Sequence, residues 1–131
     1  MMTLEQAKSA MRARIVAFNG LQPAQIQWPN RAFTVPATGI WARVSYLGGD
    51  GFIAGMGDDP LTRETGILAI QLFIRNGEGT ATLSNLADSL GKWLAFYTVG
   101  SLELLAASKI DAGDDKQGFY QMNVNVPYRV N

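Results

Sequence analysis

The sequence predicts an α+β fold in which an antiparallel or mixed sheet of four or five strands carries two helices packed on one face. Three patterns lead to this prediction: one apolar repeat at helical spacing near the start, a second in the middle of the chain, and alternating apolar and polar residues between and after them. The 131 residues fit one domain, residues 1–131, which is large enough to bury a core without disulfides or metals.

The first helix is predicted from a capping pattern followed by an amphipathic repeat. Thr3 and Gln6 have the spacing of a capping box, and the helix is expected to end near residues 19–20. Its apolar stripe consists of Leu4, Ala7, Met11, Ile15 and Phe18. The basic residues outside that stripe, interpreted as a solvated helix face in preference to a phosphate site, are Lys8, Arg12 and Arg14.

Strand patterns dominate the next fifty residues. Three prolines between residues 21 and 39 restrict segment 26–28 to a short edge strand at most. Residues 40–47 alternate, which predicts a strand with one apolar and one mixed face, and residues 52–54 can begin a partner strand. Segment 66–75 is apolar on both faces around Gln71, as is typical of a central strand.

Residues 48–66 are predicted to form a long loop between two strands. Loops of this length in small domains are usually functional or partly disordered. This one carries acidic, basic and apolar residues without a catalytic constellation, so we expect it to dock a partner.

The second helix is expected to be capped by Thr80 or Thr82, with an outward i,i+4 pair between Asp88 and Lys92. Its apolar side consists of Leu83, Leu86, Leu90, Trp93, Leu94 and Tyr97.

Two final strands are predicted over residues 102–110 and 118–130, joined by a hairpin turn at residues 111–117. In the last strand, apolar residues alternate with polar ones, so one face is expected to be core.

Composition excludes several classes of function. The chain has no Cys and no His, which removes thiol nucleophiles, imidazole bases and most zinc sites. Lys plus Arg equals Asp plus Glu at 11 each, so no net field attracts nucleic acid or an anionic membrane. We expect a soluble cytoplasmic protein, because the start lacks a signal-peptide pattern. The charged fraction of 17% is below the usual quarter, which favours a surface partly covered by partners.

The most enzyme-like group is a set of carboxylates beside an arginine in the 48–66 loop: Asp50, Asp58, Asp59 and Glu64 with Arg63. Acid–base work or binding of a hard cation is chemically open to them. An exposed turn explains Asp and Gly residues better, so no catalytic, cofactor or metal residue is assigned.

Three other patterns are weaker. The acidic residues between 111 and 115 lack the spacing of a calcium loop, and the glycines between 48 and 57 are not followed by the Gly-Lys-Ser/Thr of a phosphate loop. Trp28 and Trp41 lie near Pro-rich backbone and can stack a ligand, but core or edge-covering roles are commoner.

Across nearly its whole length, the chain resembles the tail terminator proteins of long-tailed bacteriophages, which are small neck or tail-completion subunits. The resemblance follows the first helix and the segments Ile26-Gln27-Trp28-Pro29-Asn30, Phe33-Thr34-Val35-Pro36, Trp41-Ala42-Arg43-Val44, Arg63-Glu64-Thr65-Gly66 with Ile70-Gln71-Leu72-Phe73, and Val126-Pro127-Tyr128.

The resemblance implies a non-enzymatic structural protein of the virion that assembles as a hexameric ring on the tail tube. It would end tube polymerisation and form the surface that joins tail to head. The implied partners are other copies of the chain, the tail-tube protein and a head-completion or connector protein, without a membrane, specific nucleic acid or cofactor. The implied location is the virion tail, after assembly in the host cytoplasm.

The expected interface residues are Asp58, Asp59, Arg63 and Glu64 in the 48–66 loop, with Arg63 and Glu64 contacting a neighbouring subunit or the tube. The alternative function is a small non-enzymatic binding or regulatory domain, and an enzyme is the least favoured class.

Overall fold

The fold is taken from a computed structural model that describes residues 2–48, 52–53 and 62–131. Side chains of residues 52–53 and 62–63 lie outside that description. The predicted interface residues Asp58 and Asp59 also lie outside the described residues.

Helix α1, Leu4–Val16, begins at the predicted capping box. The Gln6 amide donates to Thr3 Oγ1 at 3.1 Å, and the Thr3 amide donates to Gln6 Oε1 at 2.8 Å. The helix ends before the predicted residues 19–20, although Phe18 is still buried. Leu4 was expected on the buried stripe but is 49% exposed and lies outside the core cluster that contains Ala7, Met11 and Ile15.

Helix α2, Ala81–Leu94, follows Thr80 as its N-cap residue, without a side-chain capping hydrogen bond. Tyr97, expected on its stripe, lies beyond its end. Asp88 forms its ion pair with Lys109 at 2.9 Å rather than with Lys92, so the pair joins the helix to a strand.

The strands are β1 (Ile26–Gln27), β2 (Trp41–Gly48), β3 (Phe52–Ile53), β4 (Thr62–Arg75), β5 (Thr98–Val99), β6 (Leu102–Leu104), β7 (Ser108–Asp114) and β8 (Phe119–Val130). The main path runs β1-β2-β4-β8-β6-β5, with β7 also paired to β8 and β3 paired to β4. Only β1 and β2 pair in parallel; the other pairs in the described residues are antiparallel.

The α+β class is confirmed, but the predicted number of four or five strands is wrong. Seven strands form the main sheet in the part of the chain that the structure describes, and β3 pairs with the first residues of β4. β1 and β3, with two residues each, lie in segments 26–28 and 52–54, where a short strand was expected; β5, also of two residues, was not predicted, and segment 102–110 forms parts of two strands, β6 and β7. A segment as short as β5 cannot show an alternating pattern.

The predicted strand 102–110 is divided into β6 and β7 by a change of register. Leu104 pairs with Tyr128 whereas Ser108 pairs with Asn125, so four steps on one strand match three on the other. One extra residue reverses which side chains face the core, as in a β-bulge. The predicted turn at 111–117 is also too long, because β7 continues to Asp114.

The long loop predicted at 48–66 is shorter at its second end, because residues 62–66 belong to β4. Glu64 pairs with Val130, and Thr65 pairs with Arg129. The polar residues before Gly66 concealed this extension, since they break the apolar run used to place the strand. The central position predicted for segment 66–75 is confirmed, with β4 between β2 and β8.

One face of the sheet forms the core with both helices. Register aligns Val44, Ile70 and Val124 across β2, β4 and β8, and all three are buried. The same core cluster contains Met11 of α1 and Leu90 of α2. Both helices therefore cover this face, which leaves the second face of the sheet to other contacts.

Candidate assembly surface

The second face of the sheet carries a partly exposed apolar row. Leu47 pairs with Ile67, and Ile67 pairs with Pro127, so the three side chains lie side by side across β2, β4 and β8. Leu47 is 51% exposed and Ile67 is 38% exposed. We call the surface formed by Leu47, Ile67, Pro127 and the rows beside them the open face.

Neutral polar residues dominate the next rows of the open face. One row contains Ser45, Ala69, Asn125 and Ser108, and the next contains Arg43, Gln71, Asn123 and Ile110. Ile110 is 48% exposed. Arg43 is the one charged residue in these two rows, and few charges are typical of the core of a protein–protein contact.

The other end of this face is closed by aromatic side chains. Trp41 stacks on Phe73 with ring centroids 4.2 Å apart, and Phe33 lies 5.5 Å from Trp41. Arg75 holds the segment between β1 and β2 by donating to the carbonyls of Ala37 and Pro36, at 2.9 and 3.1 Å. Trp41 is 4% exposed, so the structural interpretation of this tryptophan is confirmed.

Of the predicted interface residues, the structure places Arg63 and Glu64 in the first part of β4. The backbone of Arg63 pairs with Phe52, and Glu64 is exposed and pairs with Val130. Burial, and secondarily the Glu64 carboxylate, raises the pKa of Tyr128. These two residues therefore follow one another in the same strand as Ile67, near the apolar row.

The basic residues of α1 do not form a simple solvated face, so that interpretation was wrong for them. Each is half-buried and lies over an aromatic ring. Arg14 is 3.6 Å from the Trp93 ring centroid and donates twice to the Trp93 carbonyl, at 3.1 and 2.8 Å. The Trp93 indole donates in return to the Arg14 carbonyl at 2.7 Å. Trp93 was expected in the core but is half-buried. We call this contact between Arg14 and Trp93 the helix latch.

The remaining two cations contact rings from the β1–β2 side. Lys8 Nζ is 5.5 Å from the Tyr46 ring centroid, and the Arg12 guanidinium is 5.8 Å from the Trp28 ring. Such contacts hold the aliphatic stems against the protein while the charges stay near solvent.

The open face was not predicted from the sequence. Its signal was present, because Leu47 was assigned to the mixed face of its strand and the central strand was apolar on both sides. What the pattern could not show is that both helices pack on the same side and leave Leu47 and Ile67 exposed.

The described residues contain neither a cluster of metal ligands nor a membrane-spanning helix. No three His, Cys, Asp or Glu residues there are grouped to hold a metal ion. No helix among them has the length and apolar character needed to cross a membrane.

Comparison with known proteins gives one family and one shared fold. A family model described as phage tail terminator protein matches residues 6–128. Eight chains of solved structures match, and one of them superimposes with a TM-score of 0.73 at 18% identity, covering 100% of this chain and 97% of the other. At that identity the likeness concerns the fold. No match was found among curated protein sequences.

Proposed function

The chain belongs to the phage tail terminator protein family, and from this we propose that it caps the tail tube as a hexameric ring, ends tube polymerisation and forms the surface that joins tail to head. The match over residues 6–128 carries this proposal, because it includes both helices, except for the first two residues of α1, and nearly all of the sheet. Family membership supports a structural tail protein located in the virion tail. The ring, its stoichiometry and its place at the head–tail joint are the proposed part.

The open face supplies the physical support for assembly. A closed ring requires two different surfaces of each subunit to contact each other, and capping a tube requires a third. The row of Leu47, Ile67 and Pro127 offers apolar area to a partner, and β7 has one unpaired edge within the described residues. Unpaired edges and exposed apolar rows are costly in a monomer and useful in an assembly.

We place the partners on these surfaces by chemistry. The tail-tube protein would cover the open face, other copies of the chain would meet at the sheet edges, and a head-completion or connector protein would bind the remaining side. Arg63 and Glu64, with Asp58 and Asp59, stay the proposed contacts of residues 48–66 with the tube or a neighbour. In this function the protein has no enzymatic activity and binds no specific nucleic acid, assembles in the host cytoplasm, and acts as the single domain 1–131.

The direct test is the length of tail tubes. Tail-tube protein of the same virus would be polymerised with and without this chain, and tube lengths measured by negative-stain electron microscopy. We expect shorter tubes bearing a terminal ring when the chain is added during growth. Unchanged tube lengths at a molar excess of the chain would overturn the proposal.

A pair of variants connects the tube assay to the open face. Leu47→Lys places a charge in the apolar row, and Val16→Lys makes the same kind of change on α1, where Val16 is 50% exposed. We expect Leu47→Lys to lose the effect on tube length and Val16→Lys to keep it. Equal behaviour of the two variants would remove the open face from the capping contact.

A further inference from the structure

One edge of the molecule carries three cations that have no carboxylate partner among the described residues. Lys8 and Arg12 project from α1 beside β1 and β2, and Arg31 follows β1 along the chain. None of them forms an ion pair within the described residues, where the salt bridges join other residues. Glu5 lies one turn before Lys8 and leaves the edge with a net positive charge. We call Lys8, Arg12 and Arg31 the basic edge.

The basic edge has a shape that admits side chains of a partner. Two open clefts of about 300 and 290 Å³ share Trp28 and Pro29 in their walls. Lys8 lines the first cleft, and Arg12 and Arg31 line the second. Each cleft can hold one or two side chains, and the cations in their walls select carboxylates.

The opposite edge of the sheet carries the complementary charge. Asp111 and Asp114 lie on β7, and Asp115 begins the turn to β8; we call these three residues the acidic hairpin. Lys116 in the turn offsets only one of the carboxylates, and Lys109 is already paired with Asp88. The hairpin therefore has a net negative charge.

Hydrogen bonds hold the acidic hairpin in one shape. Asp114 Oδ1 accepts from the Lys116 amide at 2.7 Å and from Asn76 Nδ2 at 3.3 Å. Asp115 Oδ1 accepts from the amides of Gln117 and Phe119, at 2.8 and 3.0 Å. The Lys116 amide and the Asn76 amide lower the pKa of Asp114, so it is ionised at neutral pH. Asp111 Oδ1 accepts a hydrogen bond from the Tyr120 hydroxyl.

We propose that the basic edge of one copy binds the acidic hairpin of the next copy around the ring. This inference rests on the proposed ring and names the contact that closes it. The two surfaces cannot meet within one chain, because β2, β4 and β8 separate β1 from β7, a distance of about 19 Å at the usual strand spacing. Opposite edges of one sheet meet head to tail, which is the geometry of a cyclic oligomer.

Charge reversal tests the contact. The first variant, Lys8→Glu with Arg31→Glu, makes both edges acidic, and the second, Asp111→Lys with Asp114→Lys, makes both edges basic. Each variant alone should repel itself and raise the concentration needed for assembly at least about tenfold. An equimolar mixture should assemble again, because alternating copies restore every contact in a ring with an even number of subunits.

The readout is molecular mass by light scattering over a concentration series, with circular dichroism melting to show that each variant is folded. Lys92→Glu, on an exposed position of α2, is the matched control and should assemble as the unaltered chain does. Raising ionic strength should weaken assembly of the unaltered chain, since salt screens exposed charges.

The outcomes separate the two proposals. If the folded single variants assemble at the concentration of the unaltered chain, the contact is wrong and the ring stands. If both variants fail and their mixture also fails, charge pairing between these edges is wrong. If the unaltered chain stays monomeric over the whole series, with tail-tube rings present as well as absent, this contact and the ring are contradicted together.

Discussion

Replacing Gly66 by Ala should destabilise the fold, because the position has no room for a methyl group. A Cβ built there would lie 2.5 Å from the Tyr128 hydroxyl oxygen and 2.6 Å from the Leu47 carbonyl oxygen. Tyr128 is 4% exposed and belongs to β8, and Leu47 belongs to β2, so neither neighbour can move without disturbing a paired strand.

The expected change in unfolding free energy for Gly66→Ala is the difference between two opposing effects. Forcing a methyl group into a packed site costs about 1–3 kcal/mol. The loss of glycine's freedom in the unfolded chain returns about 0.4–1 kcal/mol. We therefore expect a net loss of about 1–2 kcal/mol, which lowers the Tm of a domain this size by about 3–10 °C.

Gly48 provides the control, because it pairs directly with Gly66 and a Cβ built on it has nothing within 4 Å. Gly48→Ala should leave the Tm unchanged or raise it slightly. The assay is thermal unfolding of both variants, followed by circular dichroism with urea titration as a second measure. Equal Tm values for Gly66→Ala and Gly48→Ala would refute the argument that Tyr128 and Leu47 fill the space beside Gly66.

Three further predictions address the helix latch, the open face and pH. Arg14→Ala should cost about 1–3 kcal/mol in unfolding free energy, because the Trp93 carbonyl loses two charge-assisted hydrogen bonds; Arg14→Lys should recover only part of this in urea titrations. Leu47→Lys should weaken binding to the tail-tube protein in light scattering without lowering the Tm, because Leu47 is 51% exposed, whereas a charge at an interior position would lower the Tm as well. Burial raises the pKa of Tyr128, so the folded chain keeps a proton that the unfolded chain releases. Stability should be full below about pH 10 and decline above it, and Tyr128→Phe should reduce that alkaline loss in unfolding measured from pH 8 to 11.

The sequence was most informative where a long periodic pattern met a local signal. The capping box at Thr3 and Gln6 predicted the start of α1, and the alternation of residues 118–130 predicted β8 and its buried face. The apolar character of segment 66–75 predicted its place at the centre of the sheet. Each of these features depends on contacts with close sequence neighbours or on a pattern of ten or more residues.

The predictions that were wrong depend on contacts between residues far apart in the sequence. The shift between β6 and β7 depends on a single extra residue in pairing with β8, which no pattern within residues 102–114 reveals. The aromatic partners of Lys8, Arg12 and Arg14 come from β2, the β1 connection and α2, so composition of α1 alone made them look solvated.

The candidate site likewise has one part that the sequence indicated and other parts that depend on the whole fold. Family resemblance pointed to interface residues within 48–66, and of the four that were named, Asp58, Asp59, Arg63 and Glu64, only Glu64 has a described side chain, exposed on β4. The open face required knowledge of which side the helices cover, which is a property of the whole fold. The basic edge and the acidic hairpin are far apart along the chain, and only the strand order shows that they lie on opposite edges of the sheet.

Copies of this chain are proposed to form a ring on the tail tube. The most direct test of this ring is the native mass by light scattering over a concentration series, with and without preformed tail-tube rings, followed by negative-stain microscopy of the largest species. We expect a ring of about six times the 14.2 kDa chain mass. A chain that stays monomeric at every concentration, with the tube rings present as well as absent, would contradict it.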